Sequence, residues 1–472
     1  MSFEGPGCFF QWLDHAPDLL DLSEAFPDQF PYLLDSSARG ALGSHSLLLF
    51  ASDEVLVLHP DDGLTGPGQG NTFFERLECW YQREQTGAAD SKDDHSSLIP
   101  FTGGWFIYLG YEMAAEVESS LALPPNRTGM PDAIAHRCHG AIIVFHDPQD
   151  PAHDRSLAVA ESASDLALIR SCIEHPPAPA QHNDPGELSS LGEEDPQRYI
   201  VSVERIHEYL LAGDVFQVNI SRSWTGAFET PIDIADLYRS LRYSSPAPFA
   251  GKLRWRDSVV LSSSPERLVQ IKNSEIQTRP IAGTRPRGDD VEQDRALSNE
   301  LIGNIKERAE HIMLIDLERN DLGRVCKPGT VEVDELMVVE SFAHVHHIVS
   351  NVRGELLPGA SPVEAIKAVF PGGTITGCPK VRCMEIIAEL EQEGRGFYTG
   401  SMGYLGRNGS MDLNILIRSM LVQGRGFTFR TGAGIVADSM AENEVLETRD
   451  KARGMLMAVE SYNVRFRKRR HA

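Results

Sequence analysis

The sequence contains no long uninterrupted apolar run, no CxxC pair and comparatively few basic residues. A membrane-spanning helix needs about 18 to 20 apolar residues, and the first residues lack the basic and apolar regions of a signal peptide. The seven cysteines are scattered and odd in number, which argues against a disulfide framework or a zinc cluster. We therefore expect a cytoplasmic protein with reduced thiols.

The shortage of positive charge narrows the possible partners. Lysine and arginine number 44 against 68 aspartates and glutamates, which gives a formal net charge of −24. Nucleic acid and anionic membranes are bound mainly through basic side chains, so neither is expected as a partner. The basic residues within 461–472 are interpreted as a solvated C-terminal tail.

A segment rich in proline and acidic residues, 176–197, divides the chain and predicts a surface linker or long loop. Residues 1–175 before it carry short alternating apolar segments typical of strands. Residues 198–460 after it mix helices with strands joined by short glycine turns, which favours antiparallel pairing. The predicted fold class is α+β, with helices covering antiparallel sheets.

Periodicity within the second part predicts individual elements. A single helix is expected over 291–313, and helices over 379–392 and 440–459. Single strands are expected over 267–279 and over 411–421. The site residues discussed next fall on or beside these elements.

Two glutamate pairs, Glu307 with Glu310 and Glu444 with Glu447, repeat a spacing of three residues on predicted helices. Side chains at this spacing share one helix face, where like charges lower helix stability. A cation would offset the repulsion, and ligands that are all carboxylates suit Mg²⁺ better than zinc. Either pair alone is more simply an ordinary acidic helix face, so the metal hypothesis depends on both.

Other candidates for anion binding lie in the last third of the chain. The glycine-rich loop 370–380 leads into a predicted helix whose N-terminus, with Lys380, would bind an anion. A plain glycine-rich connector explains the loop equally well. Arg418, among apolar residues of a predicted strand, would clamp a carboxylate if it faces a cleft. Of His346 and His347, at most one can serve the same site, because neighbouring strand residues point to opposite faces.

Six ordered segments together resemble the chorismate-utilising enzymes, and the resemblance covers most of 198–457. These segments are RPIAGTRPRG (279–288), ERAEHIMLIDLERNDLGRV (307–325), VHHIVS (345–350), FPGGTITGCPKVRCMEII (370–387), GAGIVADS (432–439) and ENEVLETRDKA (442–452). The resemblance implies two antiparallel sheets packed as a sandwich with helices outside, and chorismate bound between them. It also implies a Mg²⁺ cofactor.

The resemblance implies roles for particular residues. Glu310 and Glu447 match direct Mg²⁺ ligands, whereas Glu307 and Glu444 match residues that act through waters. The positions that match substrate contacts are Gly434 and Lys451 at the ring carboxylate, Tyr398 and Arg418 at the enolpyruvyl carboxylate, His347 and Thr374 at the ring and its hydroxyl, Glu266 as general acid or base near the C4 hydroxyl, and the segment Ala282, Gly283 and Thr284.

The expected nucleophile follows from Gln217. Water-using members of the family have a lysine base at this position, so the resemblance implies ammonia as the nucleophile here. The chain has no recognisable amidotransferase triad, so ammonia would come from a separate glutamine amidotransferase subunit, component II.

Two ammonia-using branches of the family remain. The spellings at 217–219, 247–249 and 372–377 resemble aminodeoxychorismate synthase component I, which implies amination of chorismate to 4-amino-4-deoxychorismate. Ala282 departs from that branch, whose best-known members have lysine there, and matches anthranilate synthase component I. The latter is the alternative, and a non-catalytic scaffold for the amidotransferase is a third hypothesis.

The N-terminal segment 31–36 resembles a tryptophan-binding segment of the family, with Leu34 and Ser36 as the candidate contacts. An ordinary edge strand explains the segment nearly as well. The resemblance therefore gives tryptophan as the candidate ligand of this segment.

Overall fold

The structure is a computed structural model that describes residues 2–5, 8–38, 40, 42–86, 99–177, 186–288, 290–341 and 345–470. Its strands are β1 (Ser2–Gly5), β2 (Cys8–Trp12), β3 (Tyr32–Asp35), β4 (His45–His59), β5 (Gly63–Thr65), β6 (Gly104–Leu109), β7 (Ala133–Phe145), β8 (Arg155–Ala160), β9 (Leu188–Glu193), β10 (Gln217–Phe228), β11 (Phe249–Trp255), β12 (Ser258–Ser264), β13 (Arg267–Lys272), β14 (Glu275–Thr278), β15 (Ile281–Pro286), β16 (Glu332–Ser341), β17 (Val345–Glu355), β18 (Gly377–Cys378), β19 (Ser401–Gly406), β20 (Met411–Asn414), β21 (Ser419–Gln423) and β22 (Gly426–Ile435).

The helices are α1 (Leu19–Ala25), α2 (Phe73–Glu84), α3 (Ala114–Val117), α4 (Ala163–Glu174), α5 (Pro196–Ala212), α6 (Ile234–Ser244), α7 (Val291–Gly303), α8 (Ile305–Gly323), α9 (Pro362–Val369), α10 (Lys380–Glu391) and α11 (Ala441–Arg470). Within the described ranges, no helix combines the length and apolar character needed to cross a bilayer.

Two long strands, β4 and β7, join the remaining strands into two antiparallel sheets. The strand order of the first sheet is β5, β4, β7, β6, β19, β20, β13, β14 and β17. In this sheet β4 and β7 pair near Val57 and Ile134. Strands β15 and β16 also pair with β17. The second runs β1, β2, β8, the other ends of β7 and β4, then β3, β11, β12, β21, β22, β10 and β9. The β4–β7 register shifts between Phe50 and Val55, where the strands cross from one sheet to the other.

The two sheets pack face to face through a core built from strand and loop residues. Tyr32 of the second sheet stacks on Phe106 of the first, with ring centroids 3.7 Å apart. Helices α2, α8 and α9 contribute to a separate core on the outside of the first sheet, and α1, α4, α6 and α11 to one on the second. The predicted α+β fold, a sandwich of antiparallel sheets with helices outside, is therefore confirmed.

Two elements predicted as single are interrupted. The helix expected over 291–313 is two helices, because Asn304 leaves helical geometry and its side-chain oxygen accepts the Glu307 backbone N–H at 3.2 Å, which caps α8. The strand expected over 267–279 is the hairpin β13–β14, because Asn273 and Ser274 adopt positive φ angles of 52° and 65° in its turn.

The predicted linker and tail also contain regular structure. Residues 188–193 form β9, which pairs with β10, so the loop prediction was wrong there. This strand lies at an edge and most of its side chains are exposed, so it lacks the apolar alternation that marks a half-buried strand. Helix α11 continues through 461–470 of the predicted tail. Residues 178–185 and 471–472 of these segments lie outside the described residues.

Glu112, after β6, is a buried carboxyl that connects the N-terminal part of the chain to the loop before β19. Its Oε1 accepts the backbone N–H groups of Arg395 at 2.7 Å and Gly396 at 3.2 Å. Its Oε2 is buried and has no hydrogen-bond partner among the described residues. Burial raises the pKa of Glu112 to about 7, although the two backbone donors oppose the shift.

The protein should lose stability as the pH rises from about 4.5 to 7. Over this range the native state keeps a proton on Glu112 that the unfolded chain releases, and the linked loss is on the order of 3 kcal/mol. In Glu112→Gln, an uncharged amide can still accept both backbone N–H groups, so this contribution to the pH dependence should disappear. Urea unfolding at pH 5 and pH 8 measures it, and an unchanged pH dependence would contradict the buried, protonated carboxyl.

Candidate active site

The site lies over β10 and β22, where two glycines leave the sheet surface uncovered. Gly434 and Gly432 of β22 stand opposite Asn219 and Ser221 of β10. A Cβ atom on Gly434 would lie only 2.2 Å from Nε2 of Gln217, and one on Gly432 only 2.9 Å from the Tyr398 hydroxyl. Glycine at both positions thus lets polar side chains lie directly over the strand backbone.

Glu266, in the turn between β12 and β13, supplies a buried acid to this site. It is 4% exposed, and the Ile281 backbone N–H lies 3.4 Å from its Oε1. Burial raises the pKa of Glu266 to about 8, and the Thr374 hydroxyl and the Ile281 N–H only partly oppose the shift. At neutral pH the carboxyl therefore keeps its proton, as general acid catalysis requires. Thr374 also reaches Asn219, whose Nδ2 donates to the Thr374 carbonyl at 3.5 Å.

Arg418 lies beside Glu266, but not within a strand. The strand predicted over 411–421 was wrong at this point, because β20 and β21 are separate and Arg418 between them has a φ of 49°. A left-handed conformation at a residue other than glycine costs of order 1 kcal/mol and often marks a functional position. Desolvation lowers the pKa of Arg418, and the interaction with Glu266 opposes that change.

His347 of β17 joins the site from the first sheet. Burial lowers its pKa to about 3, Arg418 lowers it further, and the backbone of Gly283 opposes the shift. The imidazole is therefore neutral at physiological pH. His346 contacts different residues, the Ser341 hydroxyl at 2.7 Å and Asp294 at 2.9 Å, so only His347 faces this site, in line with the sequence argument.

Glu307 approaches the site across Gly283, whose φ is 70°. A Cβ atom on Gly283 would lie 1.9 Å from Oε2 of Glu307, so this contact needs glycine. Oε1 of Glu307 pairs with Arg285 at 2.7 Å, whereas Oε2 is buried without a hydrogen-bond partner in the described part of the chain. Ala282 is half-buried in β15, and the side chain of Thr284 lies outside the described residues.

The α11 glutamates lie on the other side of the site. Glu447 pairs with Lys451 at 2.8 Å, and Lys451 donates to the Gly432 carbonyl at 2.9 Å. Glu444 is buried. Tyr199 is buried close to both glutamates, and its own burial together with their negative charges raises the pKa of Tyr199 well above its usual value. Glu310 is half-buried on α8.

Whether these glutamates fit a metal depends on what they already contact. Across the described ranges, no three or more His, Cys, Asp or Glu side chains are grouped so as to hold a metal ion. The unsatisfied oxygen of Glu307 and the all-carboxylate donor set nevertheless suit a hard cation, which would satisfy that oxygen. The carboxylate donors are therefore chemically suited to Mg²⁺, and its binding stays a prediction.

Lys380 does not contact this group in the structure. Its Nζ is 2.5 Å from Oδ2 of Asp321 and donates to the Val369 carbonyl at 3.1 Å. It lines a separate cavity of about 770 Å³ together with Phe216, the residue before Gln217. Lys380 therefore pairs with Asp321 in the structure, and its predicted role in anion binding stays a prediction.

A buried network that the sequence analysis missed lies behind the site. Arg395, 2% exposed, donates to both carboxylate oxygens of Glu391 at 2.7 and 3.0 Å and to the Asn219 carbonyl at 2.8 Å. Glu391 also accepts from Arg430 at 3.3 Å and from the backbone and hydroxyl of Ser221. Burial alone would raise the pKa of Glu391, but the two arginines hold it below its usual value. The spacing of four between Glu391 and Arg395 was the available signal.

Leu34 and Ser36 line one small cavity together with His45 and Tyr404, as a ligand site would require. Strand β3 pairs on both sides, with β4 and β11, so the alternative of an ordinary edge strand was wrong. The cavity volume is about 60 Å³, enough for a few waters at roughly 10 to 15 Å³ each. Tryptophan would therefore have to displace lining side chains, and its binding stays a prediction.

With this geometry the chain belongs to the chorismate binding enzyme family, whose model matches residues 56–457. It is 43% identical over 366 residues to an anthranilate synthase component I-like protein of Synechocystis sp., covering 77% of this chain and 74% of that protein. It is 38% identical over 446 residues to aminodeoxychorismate synthase component 1 of Bacillus subtilis, covering 91% and 92%. The crystal structure of anthranilate synthase component I from Streptococcus pneumoniae matches with a TM-score of 0.75 at 32% identity, covering 87% of this chain and 92% of that one.

These relatives agree on the chemistry more than on the product. The protein is a chorismate-utilising enzyme of the anthranilate synthase or aminodeoxychorismate synthase type. Both names occur among relatives of similar identity, so the relatives alone do not separate the two products.

Arg395→Met should destabilise the protein by about 3–5 kcal/mol, because it leaves the buried Glu391 carboxylate with one arginine fewer. The matched control is Arg449→Met, which removes an exposed pair with Glu193 and should cost less than about 1 kcal/mol. Chemical denaturation of both variants measures the difference. Equal losses would mean that the network behind the site does not hold it together.

Proposed function

We propose that this protein aminates chorismate to 4-amino-4-deoxychorismate, with ammonia from a separate glutamine amidotransferase subunit. The observation that carries the proposal is the buried Glu266, protonated at neutral pH and next to Arg418 and Thr374. A site for replacing a hydroxyl group needs such an acid, because hydroxide leaves poorly without a proton. Gln217, whose amide lies over Gly434 and cannot act as a base, would face the nucleophile.

The side chains around Glu266 divide the remaining work. Arg418 and the Tyr398 hydroxyl would hold the enolpyruvyl carboxylate, and the Gly434 N–H with Lys451 would hold the ring carboxylate. The neutral His347 and Thr374 would pair with the ring hydroxyl without adding charge. Binding both carboxylates would fix the orientation of the ring relative to Glu266, and this orientation would accelerate the reaction.

Mg²⁺ would add charge stabilisation for the ring carboxylate when bound. Glu310 and Glu447 would contact the ion directly, and Glu307 and Glu444 would orient its waters. The unsatisfied Oε2 of Glu307 supports this assignment. On the chain's own side, Arg285 and Lys451 each pair with one of these glutamates and limit their mutual repulsion.

Anthranilate formation is the alternative, and Ala282 favours it. This residue lies in β15 beside Gly283, and its methyl group offers no nitrogen that could add to the ring. A route through a covalent lysine is therefore closed at this position, and ammonia would add to the ring directly. The names of the relatives support both products equally.

Incubation of the purified chain with chorismate, Mg²⁺ and an ammonium salt should yield 4-amino-4-deoxychorismate, identified by mass. Anthranilate together with pyruvate would contradict the proposed product while keeping the enzyme class. Removal of Mg²⁺ by a chelator should abolish turnover, because the ring carboxylate would then lack the charge stabilisation of the ion.

Two variants test the ligands in the same assay. Glu310→Gln and Glu447→Gln should each raise the Mg²⁺ concentration needed for half-maximal rate at least tenfold. The matched control is Glu442→Gln, an exposed change one turn away on α11. If both site variants kept the full Mg²⁺ response, the metal assignment would be wrong.

Glu266→Gln should lower kcat by about 10²–10⁴-fold, because the amide cannot donate the proton that the leaving hydroxyl needs. In the unaltered enzyme, kcat at saturating ammonia should fall as the pH rises through about 8, where Glu266 loses its proton. The residual activity of Glu266→Gln should lack that decline. Glu116→Gln, a change at a partly buried carboxyl that accepts the Phe73 and Phe74 N–H groups, should keep the normal profile.

A further inference from the structure

We propose that the side-chain oxygens of Gln217 and Asn219 form the subsite that holds ammonia for attack. This inference rests on the proposed amination and adds Asn219, which neither the sequence motifs nor the comparisons assign to a role. The ligand class is a small neutral amine donor, ammonia itself.

Both oxygens are buried and unsatisfied. Gln217 is 6% exposed and Asn219 is 8% exposed. Among the described residues, neither Oε1 of Gln217 nor Oδ1 of Asn219 has a hydrogen-bond partner. A buried acceptor without a partner costs about 1–3 kcal/mol, so two in one place suggest a ligand that donates to both.

The strand geometry places them on one surface. Residues two apart on β10 point to the same face, with Cα atoms about 6.6 Å apart. Two acceptors that each lie about 3 Å from one nitrogen are themselves about 5 Å apart, a separation that two amide side chains at this spacing can adopt. The amide groups of both residues lie over the bare backbone of Gly432 and Gly434, since a Cβ there would approach Asn219 Oδ1 at 3.0 Å and Gln217 Nε2 at 2.2 Å.

Hydrogen bonds hold the backbone of both residues and the side-chain amide of Asn219. Asn219 Nδ2 donates toward the Thr374 carbonyl at 3.5 Å, which turns its oxygen the other way. The backbone of Asn219 is held by Arg395 through its carbonyl at 2.8 Å, and that of Gln217 by the Cys383 thiol at 3.0 Å. The acceptor pair is therefore built on a rigid strand rather than on a loop.

Ammonia fits this pair better than ammonium or a protein amine. It can donate two N–H groups to the amide oxygens and keep its lone pair free for the ring. Ammonium has no lone pair, and Lys451, which reaches the adjacent Gly432 carbonyl, would repel it. Amide oxygens are too weakly basic to take a proton from ammonia before attack, so the subsite positions the nucleophile without consuming it.

The amination step balances with the groups that the site supplies. The ammonia nitrogen forms a bond to the ring while the ring C–OH bond breaks, and the hydroxyl leaves as water with the proton of Glu266. The extra proton on the new amine returns to the Glu266 carboxylate, which restores the acid for the next turnover. No oxidant, reductant or external base is needed.

The test measures KM for ammonia and KM for chorismate in the full chain at fixed alkaline pH, with ammonium chloride and Mg²⁺. Asn219→Ala and Gln217→Ala should each raise KM for ammonia roughly 5- to 10-fold and change KM for chorismate less than 2-fold. The double variant should lose less than the product of the single effects, because both oxygens bind one molecule. Asn126→Ala, a buried amide removed elsewhere in the fold, should leave both KM values unchanged.

Asn219→Asp shows whether a raised KM for ammonia in Asn219→Ala comes from loss of the acceptor oxygen or from disturbed folding. It keeps an acceptor at Oδ1 and should retain a KM for ammonia much closer to the unaltered enzyme than Asn219→Ala. Equal ammonia KM values in all variants, or a rise confined to chorismate, would overturn the subsite. A chain that does not aminate chorismate at all would instead refute the proposed function.

Discussion

The buried cluster of Arg395, Glu391 and Arg430 is the interaction on which the site geometry depends. Charges removed from water are stable only when they are paired and hydrogen-bonded. Arg395 meets that requirement by bonding to the Asn219 and Ile375 carbonyls and to Thr399 as well as to Glu391. These partners belong to β10, to the glycine-rich loop, to the turn before β19 and to the end of α10, so one side chain fixes four separate segments.

The cluster also contacts two aromatic rings of the candidate site. The guanidinium of Arg395 lies 4.9 Å from the Tyr111 ring centre and 5.6 Å from that of Tyr398. Cation–π contacts of this kind are strengthened by burial. Tyr398 is thereby held over Gly432 with its hydroxyl directed at the uncovered strand. Charge pairing within the cluster thus positions the residues of the candidate site, and Gly432 and Gly434 leave the room that its polar side chains occupy.

Sequence reasoning succeeded where a residue's chemistry needs its exact identity and failed where the outcome depends on distant partners. Gly432, Gly434 and Gln217 lie together in the structure. Polar side chains lie so close to the two glycines that a Cβ there would clash, so glycine is required at both positions and the sequence motif contains it. The loop around Lys380 suggested an anion site, but it did not predict that Lys380 pairs with Asp321 on α8. No local pattern near Lys380 reveals that partner, 59 residues away along the chain.

Arg418 shows the same limit in the backbone. Its apolar neighbours predict a continuous strand, but the chain breaks there into β20 and β21 with a left-handed residue between them. The break is stabilised by tertiary contacts, since the Arg418 carbonyl accepts the Ser263 N–H at 3.0 Å and the Glu266 carbonyl accepts the Ile415 N–H at 3.0 Å. These bonds join the turn that carries the acid to the turn that carries the arginine.

The protonation states follow from this enclosure and explain how a strongly acidic protein can accept a dianionic substrate. Burial keeps Glu266 protonated and His347 neutral, so neither adds a negative or a mobile positive charge to the site at pH 7. Arg418 and Lys451 then supply most of the positive charge near the pocket, and Glu307 and Glu447 are each paired with a cation. The site thus limits uncompensated negative charge by neutralising its own acids, as an enzyme that uses the dianion chorismate requires.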